Sequence, residues 1–339
     1  LYVMIFISCA NTGDRYKRLD DELKLKDHYT RRKTEDLRQF TEHLDREKNN
    51  MSLKERYSEY RKLCDDYATF SFDSSLKYTI LLNDIAREIG EPSYLADARS
   101  RNSHIMAMGG AYKEALDSLA STDLSDPTIP DSVKVEFYTA SGRVYHNFGD
   151  YMRSFASSLA ETYFDLGNEQ LEKAIALAKD SVTIYWLEGK MALVKGDLAK
   201  ARQKYGYAID HFKMSSNRQS LLLSTLAGIE VKTGDYDQAI DHYIQAAIGD
   251  IRNAKTESVS LRGLAATLFY NEDEVNKALE YMNIALKDAQ FYNSRHRLMV
   301  IEGILPIIIN EKLNYTETKR DQLRHYLFII AILAVALIV

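Results

Sequence analysis

The chain has 339 residues, 27% charged and 45% hydrophobic, which is enough apolar material for two ordinary domains or one elongated array folding in water. A formal net charge of -5 offers no basic footprint for nucleic acid, and the two cysteines, Cys9 and Cys64, can build no disulfide framework and stand in no C-x-x-C pair. Only 4 Pro and 15 Gly occur, and so few breakers favour helix almost throughout.

Leu1 to Ile7 is apolar and runs into Ser8-Cys9-Ala10-Asn11. This has the form of the tail of an export signal (residues 1–10) before a small-residue cleavage site, and a cysteine after a small residue has the form of a lipobox with Cys9 as the lipidated residue. The other reading is a clipped signal peptide with an incidental cysteine. Residues 11–66 are charge-dense, with Leu37, Phe40 and Leu44 at helical spacing. They read as one or two long amphipathic helices capping the rest of the chain, their charges forming a solvated face.

From residue 67 to 310 the chain repeats itself. Residues 185–208 and 223–246 each read as a helix, a Gly-Asp turn and a second helix. Gly196-Asp197 matches Gly234-Asp235, and Ala201, Tyr205 and Ala208 match Ala239, Tyr243 and Ala246. Ala278, Met282 and Ala285 continue the series, with 271–273 as the turn, while Tyr138, Gly142 and Tyr145, then Gly110, Tyr112, Ala115 and Leu119, then Phe72, Ser75 and Thr79 mark earlier members. The pattern resembles the tetratricopeptide repeat. Small residues let two antiparallel helices approach, an aromatic fills the remaining hole, and Gly at a helix end takes the left-handed cap. The alanines Ala201, Ala239 and Ala278 recur at 38 and 39 residues, longer than the usual repeat of about 34. The wider gap before Ala201 predicts an extra turn or short helix at 171–178. The expected fold is all-α: a tetratricopeptide-like solenoid of about six helix pairs with one C-terminal transmembrane helix.

Pro306 is expected to break or kink the last apolar helix. Residues 311–325 form a juxtamembrane segment, and 326–339 is an unbroken apolar run. Fourteen helical residues rise about 21 Å, short of the roughly 30 Å of a bilayer core, so the run reads as a transmembrane helix not quite completed. Lys319, Arg320 and Arg324 before it favour a cytoplasmic flank, in conflict with an export signal. Glu317 and Asp321 weaken that basic flank, so the export signal carries more weight. The expected location is the inner membrane, single-pass, with the repeats in the periplasm.

Catalytic signals are absent from the sequence. The eight histidines form no H-E-x-x-H and no i, i+4 pair, and no G-x-S-x-G, phosphate loop or G-x-G-x-x-G occurs. No enzyme, metal or cofactor is expected.

Three segments carry a closer resemblance. Residues 67–78 (YATFSFDSSLKY) are similar to a "YksFxxDSAxxY" opening, 247–258 (AIGDIRNAKTES) to a "SAIxDIrxAxxE" block, and 288–297 (DAQFYNSRHR) with 303–307 (GILPI) to "DAxFYNaRxR…ILPII". These resemble the membrane-spanning tetratricopeptide regulators of Bacteroidota-type bacteria. Ser75 departs, standing where that family has Ala. The resemblance implies an exported sensor, one span, then a cytoplasmic coiled coil and DNA-binding domain, of which only the sensor and span would be present here.

The segments also supply a candidate polar site: Asp250, Arg252 and Asn253 with Phe291, Tyr292, Asn293, Arg295 and Arg297. It reads either as a pocket for a ligand or partner, or as a helix-end network in which arginines cap carbonyls and pair with Asp250. The expected function is a periplasmic ligand- or protein-sensing region of a membrane-bound transcriptional regulator. The alternative is a membrane-anchored scaffold recruiting partners without signalling. Expected partners are the membrane, a protein or peptide (a second copy included) and a small ligand such as an oligosaccharide, with no nucleic acid on this part.

Overall fold

The computed structural model describes the backbone of 2–153, 156–257, 259–271, 274–293 and 295–338, with the side chains of those residues except 2–14, 271, 295–297, 299, 300, 315, 331 and 333–338. Helix α1 (Tyr2–Glu47) is followed, after a 3-10 turn, by α2 (Leu53–Tyr67), whose start carries a reciprocal cap between Ser52 and Glu55. Six antiparallel pairs then run along the chain: α2 with α3 (Phe72–Ile89), α4 (Pro92–Met108) with α5 (Tyr112–Ala120), and α6 (Asp131–Met152) with α7 (Ser157–Leu177). They continue as α8 (Ser181–Val194) with α9 (Leu198–His211), α10 (Ser216–Thr233) with α11 (Tyr236–Arg252), and α12 (Val259–Asn271) with α13 (Val275–Tyr292). Helix α14 (Arg295–Ile338) closes the series, and no strand occurs among the described residues.

Close approach within each pair rests on small side chains. A Cβ on Gly142 would sit 2.6 Å from Leu171 Cδ2, and one on Gly189 would sit 3.0 Å from Tyr205 Cζ. Tyr205 is fully buried and Tyr243 nearly so, each filling the hole opened by a glycine on a neighbouring helix. Gly90, Gly196 and Gly234 end their helices in the left-handed conformation at φ 73°, 78° and 83°, the last two within the Gly-Asp turns. Asp197 also caps α9 by accepting from Lys200 N at 3.0 Å, whereas Asp235 accepts from Arg202 at 2.7 Å.

Two local expectations change. Residues 171–177 form no separate insert; they are the last turns of α7, with Leu171 and Ala174 in its core, so the extra repeat length lies in longer helices. Nor does Pro306 end α14, which runs through it. Pro306 and Glu302, four residues before it, are both exposed, so water can serve the carbonyl that loses its donor.

Helix α1 does more than solvate a face. Tyr16 and Leu19 join the core formed by α11 to α14, while Leu37 and Leu44 join that of α2 to α4. Its polar side chains pair on the way: Arg15 with Asp237 and Asp241 at 2.9 Å each, Asp20 with Lys277 at 2.6 Å and Tyr281 at 2.8 Å, Lys26 with Asp288, and Lys33 with Asp66. From Tyr16 to Leu44 the helix spans about 42 Å, strapping the last pairs to the first.

Among the described residues no helix is long and apolar enough to cross a membrane. Much of the expected span at 326–339 lies outside the described side chains, as does the expected lipidation site, Cys9. Cys64 is buried in the α2 core, and burial pushes its thiol up to about 12, leaving it unreactive.

Two glycines test the packing argument in opposite directions. A Cβ at Gly263 would meet the Tyr243 ring, 2.5 Å from Cζ, and the overpacking cost of about 1–3 kcal/mol exceeds the roughly 1 kcal/mol gained in helix propensity. Gly206 faces open space, so Gly206→Ala gains up to about 1 kcal/mol while Gly263→Ala loses stability, both read by urea denaturation. His146, buried between α6 and α7, is held down at about 3, first by burial and then by Lys190. The unfolded chain therefore binds the extra proton below 6.5, and this contribution falls with pH from 6.5 towards 3. Replacing His146 with Gln should flatten the acid limb of the stability curve, by about 2 kcal/mol between pH 6.5 and about pH 5.

Candidate functional site

The first helices of successive pairs, α2, α4, α6, α8 and α10, face a common cavity. Its larger part has a volume of 820 Å³ and is lined by Arg101, Glu136, Thr139, Arg143, Trp186 and Arg218 among others. A second part of 440 Å³ shares Asp65, Arg101, His104, Arg143, Trp186 and Arg218, and is walled by Lys255 and Glu257 from the loop between α11 and α12. A third, also 440 Å³, opens at the starts of α2, α4 and α6 and shares Pro130, Ser132 and Glu136 with the first. Together they form one groove across five repeats, the shape that suits an extended chain molecule.

Its lining is mixed in a particular way. Trp186 is the sole tryptophan of the chain, with the Arg218 guanidinium 5.9 Å from its ring centroid. Thr139 Oγ1 and Ser75 Oγ are buried without a hydrogen-bond partner among the described residues. The largest part is charge-balanced, with Arg101, Arg143, Lys179 and Arg218 against Asp65, Asp131, Glu136 and Asp180. An aromatic plate beside carboxylates and guanidinium groups is suited to a polyhydroxylated ligand, which both donates and accepts.

One wall is an ion network centred on the buried Asp97. Asp97 accepts from Tyr57 Oη at 2.6 Å and Arg101 Nε at 3.1 Å, and lies 3.2 Å from Arg61 Nε. Arg101 also pairs with Asp65 and, at 3.2 Å, with Glu136, which Arg61 reaches as well. Burial alone would lower Arg101, but Asp97, Asp65 and Glu136 outweigh it and hold it above its ordinary value. Burial, with Asp97 beside it, lifts Glu136, while the arginines pull the other way. The network ties α2, α4 and α6 at fixed separation, which makes it scaffold for the cavity. Among the described residues no group of three or more His, Cys, Asp or Glu could hold a metal ion.

The residues singled out from sequence fall at a different place. Asp250 is largely shielded, its carboxyl lifted by burial, and it is bound by Lys255 at 3.0 Å and Ser260 at 2.6 Å. Arg252 pairs with Glu22 of α1, and Asn253 donates to Gly249 O at 2.6 Å and accepts from Ser216 at 3.0 Å. Tyr292 donates to Ala68 O at 2.7 Å, and Asn293 to Asp73 at 2.8 Å. The side chains of Arg295 and Arg297 lie outside the described residues. The two segments meet through an intermediary, the loop between α2 and α3. Thr256 N donates to Thr69 O at 3.0 Å, Thr256 Oγ1 donates to Phe70 O at 2.7 Å, and the Phe70 and Phe291 rings lie 5.3 Å apart. The first and last repeats thus close on each other. Sequence reasoning passed over Trp186 and Thr139 because their pattern becomes visible only when five helices share a face; the uniqueness of Trp186 was the one available signal.

Paired antiparallel helices stacked around a concave, ligand-sized groove define a tetratricopeptide protein, an interaction scaffold. The chain belongs to the family described as the SusR N-terminal TPR domain, whose model matches residues 23–303. Solved structures similar to it include the TPR2AB domain of yeast Sti1 in complex with pHSP90 (17% identity, 76% of this chain and 98% of that chain, TM-score 0.34) and a tetratricopeptide repeat protein from Parabacteroides merdae (12%, 74% and 98%, 0.37). The APC/C hetero-tetramer Cut9-Hcn1 is similar at 14% identity over 87% of this chain and 58% of that chain, with a TM-score of 0.42. Among curated proteins none matches.

Asp97→Asn removes the charge that Arg101 and the half-exposed Arg61 share, though both keep Glu136. It should cost about 2 kcal/mol in urea denaturation while helix content by circular dichroism stays unchanged below the transition.

Proposed function

We propose that this chain is the ligand-sensing part of a membrane-bound transcriptional regulator, and that its groove takes an oligosaccharide. The observation that carries the reading is the setting of Trp186, with Arg218 against its ring, in a groove lined by both signs of charge. The face of a sugar ring carries C–H groups that stack on an indole, and its hydroxyls donate to carboxylates and accept from guanidinium groups. Membership of the SusR-type family supports a regulatory setting. A single span at 326–339, an inner-membrane location and repeats in the periplasm complete the proposal, supported by the apolar runs at both ends of the sequence. Catalysis has no part in it.

Glycan-array screening followed by calorimetry tests the reading. Saccharide binding should quench Trp186 fluorescence, and Trp186→Ala should weaken binding about tenfold without changing the fold. Saccharide binding that leaves Trp186 fluorescence and the Trp186→Ala affinity untouched would place the ligand elsewhere.

A further inference from the structure

We infer that the contact between the α2–α3 loop and the C-terminal repeats is a latch, and that the groove is complete only while the latch is closed. This rests on the reading of the groove as a ligand site and adds how that site is regulated. Lys255 and Glu257 wall the groove, yet they belong to the loop after α11, whereas the remaining walls come from the first five pairs. Thr256, between those two residues, carries the latch itself, donating to Thr69 O and Phe70 O. Tyr292 to Ala68 O and Asn293 to Asp73 make a second attachment at the end of α13.

Both attachments sit at helix ends. Among the described residues the only non-glycine positions with positive φ are Ala254, at 49°, and Asn293, at 64°. Each is the left-handed stop of its helix, α11 and α13, and each lies within two residues of a latch hydrogen bond. In a stacked array each pair leans on its neighbours, so this contact between loops of the first and last pairs can part without unstacking any of them. Opening would withdraw Lys255 and Glu257 from the groove and leave Trp186 facing water. A ligand that touches the loop as well as the first five pairs binds the closed state better, and so shifts the population towards it. Asn293 is the last described residue before α14, so the same event bears on that helix.

The full chain tests this without any ligand. The Thr256 amide, bonded across the latch, should exchange with deuterium at least about tenfold faster than amides in the middle of α6 and α7, because the latch opens apart from the core. Removing the latch hydroxyls in Thr256→Val/Tyr292→Phe should raise that exchange about tenfold again and increase acrylamide quenching of Trp186, with helix content unchanged. Exchange at Thr256 as slow as in α6 and α7 overturns the latch, and this measurement on the unaltered chain decides the matter even if the double variant fails to fold. Unchanged Trp186 quenching in a folded double variant also overturns it. A chain that shows both responses yet binds no saccharide keeps the latch and loses the sugar reading; saccharide binding without either response does the reverse.

Discussion

Everything in this molecule depends on how closely two helices can lie. Where a glycine or alanine faces the partner, as at Gly142, Gly189 and Ala201, the rods approach until a ring or branched side chain fills the remaining space. Repetition of that contact at a constant offset produces curvature, and curvature produces an inner face. The groove is therefore a by-product of packing, and its chemistry is whatever the first helices carry on the side that packing leaves open.

A solenoid of this kind would ordinarily have free ends. Here α1 crosses from the last pairs to the first, burying Tyr16 and Leu19 at one end and Leu37 and Leu44 at the other. Loops from both ends then bond directly, Thr256 to Thr69 and Tyr292 to Ala68. Contacts between neighbouring repeats are local in sequence. The strap and the loop contacts join residues more than two hundred positions apart, or nearly so, and bring the two ends of the array together.

The helical class and the repeat boundaries were legible because they depend on short-range spacing: the Gly-Asp turns and the Ala, Tyr, Ala series stand within single windows of sequence. The closure was not, since no local pattern in the α1 charges shows that Asp20 and Lys26 face Tyr281 and Asp288 and not water. Asp250, Arg252, Asn253, Tyr292 and Asn293 suit a ligand site and a long-range seam equally well as sequence, since both call for polar residues at helix ends; in the fold they bond along that seam, and Arg252 and Asn253 also line a separate cavity of 760 Å³. Trp186 gave the opposite problem, a side chain unremarked within its own repeat whose place in the groove appears only across helices.

Helix α14 leaves the body after Ile308, its last buried residue among those described, and runs on to Ile338. Thirty residues of helix reach about 45 Å, and Pro306 stands just before the point of departure. A proline there weakens bending resistance in one direction without ending the rod. The arrangement is that of a lever with its fulcrum beside the repeats: a tilt of about five degrees carries the far end through about 4 Å, so a displacement too small to disturb the body becomes one large enough to move a neighbour.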